Sequence, residues 1–241
     1  MLKILLIILG IIAYIIFSFD FWMNIKTWIA RIKIGRWDEP EKWFDAVEKV
    51  AEKWVVHTPI VKKTDQNRYV IIDMLKHNYK SSTIQSWQLG GLYLGLTESN
   101  PNNVQKYEKL FINENGEWIK SPVEIDQGIL AYGILRETAD IEQIRPAMEQ
   151  MYQLICKRRA KEDGCIRYRE HVPQMRFVDT IGFICPFLST YGKTYDVPKA
   201  VDMAIHQIKE YYKSGLHKDT LLPAHAVNIE LNFPLGIYGW G

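Results

Sequence analysis

A chain of 241 residues with 47% hydrophobic content is long enough to bury one sizeable core and too apolar for a disordered polymer. Its 30 basic and 28 acidic residues nearly cancel, to a formal charge of +2, and no long basic stripe exists to track a nucleic-acid backbone. Cys156, Cys165 and Cys185 lack CxxC spacing, which argues against a zinc knuckle or a disulfide framework and reads as reduced, mostly buried thiols. No metal or cofactor is expected.

The first element in the chain is an apolar run from Ile4 to Phe19, broken only by Ser18 and extended past Asp20 by Phe21, Trp22 and Met23. It is near the short limit for a spanning helix, and Trp22 and Trp28 suit an interfacial belt. A cleaved signal peptide is the rival reading, but the apolar core is longer than the usual h-region and no small-x-small site follows. We therefore expect a single-pass signal-anchor over 1–23. Lys26, Arg31, Lys33 and Arg36 follow it and lean the body towards the cytoplasm by the positive-inside rule. Residues 24–38 read as a basic amphipathic segment at the headgroups, with an ordinary first helix of the following domain as the alternative.

From Glu39 onward, helical periodicity dominates and period-two alternation is scarce. Pro40 suits a first helical turn, and Trp43, Val47, Val50 and Trp54 recur on one face. The spacing predicts further helices over Asp65–His77, Ser82–Leu96, Asn102–Phe111, Asp126–Thr138, Ile141–Arg159, Gln174–Tyr191 and Lys199–Lys213. Breakers at Asn100-Pro101, Asn115-Gly116, Asp163-Gly164 and Gly192 separate them into antiparallel hairpins. Inner helices carrying Gly and aromatics, such as Trp87-Gln-Leu-Gly-Gly-Leu-Tyr, alternate with more charged outer ones. Gly90, Gly91, Gly95, Gly128, Gly133 and Gly182 are expected to let inner helices approach closely. Trp87, Trp118 and Tyr132 read as core.

Two acids carry the chemistry. Asp179 lies in an otherwise apolar run, where an ionised carboxylate needs either partners or a retuned pKa. Asp126-Gln-Gly-Ile and Asp179-Thr-Ile-Gly share a layout, an acid opening a Gly-containing apolar helix. In a ring of hairpins such helix starts gather at one rim, so the acids can divide acid, base and substrate-holding work. For Asp126 the plainer alternative is a helix cap or first-turn acid. His225 is either a loop histidine bonded to backbone or a ligand contact, and His171 leads into the Asp179 helix.

At these residues the chain resembles the unsaturated glucuronyl and rhamnogalacturonyl hydrolases of glycoside hydrolase families 88 and 105. The match is Gln-x-x-x-Val-Asp-Thr from Gln174 to Thr180, continuing through Pro186 and Tyr191-Gly192. Gly215-Leu216, Pro223-Ala224-His225 and the closing Tyr238-Gly239-Trp240-Gly241 reinforce it, the last resembling the start of the family's Trp-x-Arg-Gly-x-Gly-Trp motif. The resemblance implies an all-α fold, an (α/α)6 six-hairpin barrel over 39–241, preceded by the transmembrane helix. It implies hydrolysis of oligosaccharides that bear a non-reducing-end 4,5-unsaturated uronic acid, by acid-catalysed hydration of the vinyl ether. Asp179 matches the general acid and base, Asp126 the second acid that holds ring hydroxyls, and His225 a substrate contact, while Trp240 is an aromatic for stacking on a sugar face. Desolvation is expected to raise the Asp179 pKa.

The chain stops where the motif's Arg should follow, and a six-hairpin ring needs twelve helices where periodicity offers roughly eight or nine. The barrel is thus expected to be incomplete at the C-terminus. A catalytically inactive toroid fragment that binds carbohydrate or a protein partner is the alternative function. An epimerase of the N-acylglucosamine type, using His217 and His225, fits the Val-Asp-Thr segment poorly.

Overall fold

The computed structural model describes residues 2–34, 38–58, 60–62, 75, 81–83, 86–231 and 233–236. Contacts divide the chain into two units, Met1–Ile84 and Gln85–Gly241.

In the first unit, helix α1 (Leu2–Ile34) is continuous for 33 residues. Its Leu2–Trp22 part is long and apolar enough to cross a membrane, and Asp20 is its buried residue. Expected anchor and juxtamembrane segment therefore share one helix as far as Ile34. Helix α2 (Pro40–Val56) starts on Pro40, as the fixed φ of proline favours. Its Trp43, Val47, Val50 and Trp54 face is exposed, and Val55 is the buried residue. Strands β1 (Ile60–Lys62) and β2 (Ser81–Thr83) pair antiparallel with Ile60 opposite Thr83. Ser82 and Thr83, expected to open a helix, thus belong to a strand. The helix expected over Asp65–His77 lies outside the described residues apart from Leu75.

The second unit is a series of helices. Helix α3 (Ser86–Ser99) leads through a 3₁₀ turn at Pro101–Asn103 into the short α4 (Val104–Glu108). A second 3₁₀ turn, Ile125–Gln127, runs into α5 (Gly128–Glu137), which is followed by α6 (Arg145–Lys157). Helices α7 (Asp179–Thr194) and α8 (Pro198–Ser214) form the last hairpin. Helix α3 packs on α5, α5 on α7 and α7 on α8, while α6 lies against α5 and α7.

The small residues explain the close spacing at particular points. A Cβ on Gly90 would stand 2.8 Å from the Leu130 backbone nitrogen, and one on Gly128 would stand 2.5 Å from the Phe183 carbonyl oxygen. The α3–α5 and α5–α7 contacts thus depend on the absence of a side chain. Gly91, Gly95 and Gly182 differ from the expectation, since a Cβ there would meet nothing within 4 Å. Ile134, Ala147, Met148, Met151, Ile155, Ile184, Phe187 and Leu188 form the buried centre. Trp118 joins it with its indole N–H donated to the Ala147 carbonyl at 2.7 Å, whereas Trp87 and Tyr132 are only half-buried. Of the cysteines, Cys165 and Cys185 are buried, which pushes both thiols up to about 12, and Cys156 is half-buried.

The expectation of an all-helical body is corrected by a small antiparallel sheet, β3 (Met175–Phe177), β4 (Ala226–Asn228) and β5 (Phe233–Leu235), in the order β3–β4–β5. The helix expected from Gln174 begins only at Asp179. Strands of three residues are too short to carry a visible alternation, so neighbouring helical periodicity masks them.

Candidate active site

Asp126 sits in the 3₁₀ turn that opens α5. Capping there is done by its neighbours: the Glu124 side chain accepts from the turn's backbone, and Gln127 Oε1 accepts from the Glu124 N–H at 3.1 Å and the Val123 N–H at 2.8 Å. Asp126 is thus a first-turn acid beside this capping box, as the plainer alternative has it. Its side chain is 5% exposed, and Oδ1 has no hydrogen-bond partner. Burial pushes its carboxyl up from the usual 3.8, helped by Glu124, while the Arg169 guanidinium and two backbone N–H groups pull it down.

Asp179 occupies the first turn of α7, next to β3. The strand pairing brings a distant segment to it. Phe177 is opposite Ala226, and one step further the Val178 N–H donates to the His225 carbonyl at 3.0 Å. His225 Nδ1 consequently stands 3.7 Å from Asp179 Oδ2. The Asp179 side chain is 37% exposed. The apolar burial that the sequence suggests for Asp179 is found at Asp126 instead, because a helix-opening residue beside a short strand has an open side.

The loop carrying His225 is held from behind. The Ala224 N–H donates to the Gly215 carbonyl at 2.7 Å, Leu216 and Pro223 form a β-bridge, and the Tyr211 hydroxyl donates to the Ala224 carbonyl. The Gly215-Leu216 and Pro223-Ala224-His225 segments are therefore two sides of one clasp at the end of α8. His217 lies in the turn between them, its N–H donated to the Leu222 carbonyl at 3.0 Å and its Nε2 buried without a partner.

Aromatic rings cluster beside the Asp179–His225 pair. Tyr168 meets Phe177 edge-on at 5.8 Å and Phe183 at 5.5 Å between centroids; Phe177 in turn meets the His225 ring at 5.6 Å, and Trp87 stacks on Phe183 at 6.4 Å. Burial pushes the Tyr168 hydroxyl up, Arg169 opposes this, and both Asp126 and Asp179 add to it through their charge. Tyr168 thus lies within electrostatic reach of both acids. Tyr168, Arg169 and Phe177 have no motif of their own and are not singled out by the sequence. His171 is exposed, and Trp240 lies outside the described residues.

A cavity of about 110 Å³ lined by Asp163, Cys165, Arg176, Gln207, Glu210 and Tyr211 lies elsewhere, on the side of β3 to which Arg176 points. Alternation along the strand sends Arg176 away from Phe177. There Arg176 donates to Asp163 at 2.8 Å, to Glu162 at 3.0 Å and to the Pro173 carbonyl at 2.7 Å. This network around buried Arg176 braces the strand that presents Asp179.

In fold, the chain is similar to part of several solved glycoside hydrolases. It is similar to structures described as possible family 105 members from Salmonella enterica serovar Paratyphi A and from Klebsiella pneumoniae. Both have a TM-score of 0.57 and 14% identity; they cover 82% and 83% of this chain and 55% and 54% of their own. A family 105 glycoside hydrolase from C. acetobutylicum aligns with TM-score 0.50 and 19% identity over 66% of this chain and 47% of its own. The chain spans about half the length of the solved structures it matches. The sequence matches no protein-family model and no curated protein.

Proposed function

We propose that this protein is a glycoside hydrolase built on part of an (α/α)6 barrel, acting on oligosaccharides that end in a 4,5-unsaturated uronic acid. The observation that carries the reading is the pair of unlike acids on adjacent helix starts: Asp126 buried with an unpartnered oxygen, Asp179 open and within 3.7 Å of His225. Environments that differ in this way divide the work of two carboxyls.

In this reading Asp179 is the proton carrier. It delivers a proton to C4 of the vinyl ether while water adds its oxygen to C5 and returns a proton to the Asp179 carboxylate. The hemiketal so formed opens to a carbonyl and releases the remaining sugar as an alcohol. Asp126 Oδ1, already stripped of water, accepts a hydrogen bond from a ring hydroxyl. His225 orients the Asp179 carboxyl and contacts the sugar, and Trp240 offers an aromatic face. The α1 helix anchors the enzyme in a membrane as a single-pass segment over 1–23, with 24–38 at the headgroups and 39–241 as the catalytic body.

The test is incubation of the purified chain with an unsaturated glucuronyl disaccharide while the ultraviolet absorbance of its C4–C5 double bond is followed. Absorbance is expected to decay with the unaltered protein and to persist with Asp179→Asn. Equal decay with both proteins would remove Asp179 from its role.

A further inference from the structure

Arg169 places a guanidinium beside a site built around two acids. Its Cζ lies 4.1 Å from the centre of the Tyr168 ring, and its Nη2 donates to the Tyr168 hydroxyl at 3.0 Å. No carboxylate among the described residues lies within ion-pair distance of it. The nearby arginines are committed: Arg158 lies 3.5 Å from Glu124 and 3.4 Å from Glu170, Arg167 is 2.7 Å from Glu162, and Arg176 is held by Asp163 and Glu162. Glu170, the chain neighbour of Arg169, is thus directed to Arg158.

Tyr168 fixes where this cation stands. Its ring is wedged against Phe177 and Phe183, which touch the His225 ring and Trp87 respectively. The guanidinium is therefore held over a buried ring that adjoins the Asp179–His225 pair, and it is also close enough to Asp126 to act on its charge. Stacking fixes the plane of a guanidinium and leaves its remaining N–H groups free to grip a planar anion in bidentate fashion. We propose that Arg169, stacked on Tyr168, binds the carboxylate of a uronic acid ring and makes the site select acidic sugars over neutral ones. This rests on the hydrolase reading for the orientation of the ring, while the carboxylate selectivity is separately measurable. Arg169 is a specificity-determining residue in this proposal, and Tyr168 is the positioning residue beneath it.

The experiment is calorimetric titration of the full chain in detergent micelles with an unsaturated glucuronyl disaccharide and, separately, with its methyl ester. The unaltered protein is expected to prefer the acid by roughly tenfold or more, the scale of a charge-assisted pair. Arg169→Gln is expected to lower acid binding to the ester's level and leave ester binding unchanged, and Arg169→Lys to keep part of the preference. Retention of ester binding shows that the variants are folded. A full acid preference in Arg169→Gln, equal binding of acid and ester by the unaltered protein, or binding of neither overturns the proposal. Loss of double-bond absorbance is followed in the same samples. Acid preference without consumption defeats the hydrolase reading alone, and consumption without acid preference defeats the Arg169 assignment alone.

Discussion

The turns that carry Asp126 and Asp179 look alike in sequence, and the folded protein treats them oppositely. Around Asp126, the side chains of Glu124 and Gln127 close a capping box, and the acid between them sinks to 5% exposure. Around Asp179 no side chain caps the helix, and the preceding strand leaves the acid open while bringing His225 to 3.7 Å. One acid is desolvated and the other is reachable. The lesson is that an acid's environment at a helix start is set by what its neighbours have already satisfied.

The largest expected effect comes from breaking the reachable half. Asp179→Asn should lower turnover of an unsaturated uronyl disaccharide roughly a thousandfold, the range of a lost general acid. Because the residue is partly exposed, its melting temperature should hardly move. Replacing the buried half, Asp126→Asn, should cost roughly a hundredfold in turnover through lost positioning.

Asp126→Asn should also change stability in a pH-dependent way. Its folded-state carboxyl is raised above the unfolded value, so the folded protein holds the proton longer. The stability contributed by this group is present below the usual value of 3.8 and is lost as pH rises through the folded pKa. Thermal melts over an acid-to-neutral series should therefore show the variant gaining on the unaltered protein as pH rises, by at most about 1.4 kcal/mol per pH unit. A gain that shrinks with rising pH would contradict the buried-acid assignment.

His225→Ala should reduce turnover by roughly tenfold to a hundredfold, through misorientation of Asp179, with the acid still present to react. Steady-state kinetics on the same disaccharide tests this. Two glycines sharpen the comparison at the smallest scale. Gly128→Ala forces a Cβ to 2.5 Å from the Phe183 carbonyl, and its unfolding free energy should fall by about 1–3 kcal/mol. Gly182→Ala enters open space in an exposed helical position, and denaturant titration should show a gain of about 0.5–1 kcal/mol.

Much of the frame is legible in the residues alone. Pro40 opens a helix where a first-turn proline belongs, and Gly116 and Gly164 adopt φ of 76° and 74° in the turns that Asn115-Gly116 and Asp163-Gly164 announce. Each of these is a local effect, decided by a residue's own torsions and its nearest neighbours. The shared layout of Asp126 and Asp179 is legible for the same reason. The Gly-rich inner helices are legible only in part: Gly90 and Gly128 sit at backbone contacts, whereas Gly182 faces open space, and composition cannot distinguish them.

What the sequence determined by itself is the helical periodicity, the apolar amino-terminal helix and the two acids at helix starts, because each is written in spacings of a few residues. Tertiary structure alone decided which acid is buried, that His225 stands beside Asp179, and that Arg169 lies on Tyr168. The pairing of Val178 with His225 joins positions 178 and 225, and the β3–β4 register that produces it is set by hydrogen bonds across that gap. No local spacing encodes such a contact, since its energy appears only when the whole second unit has brought α8 and its clasp back against the start of α7.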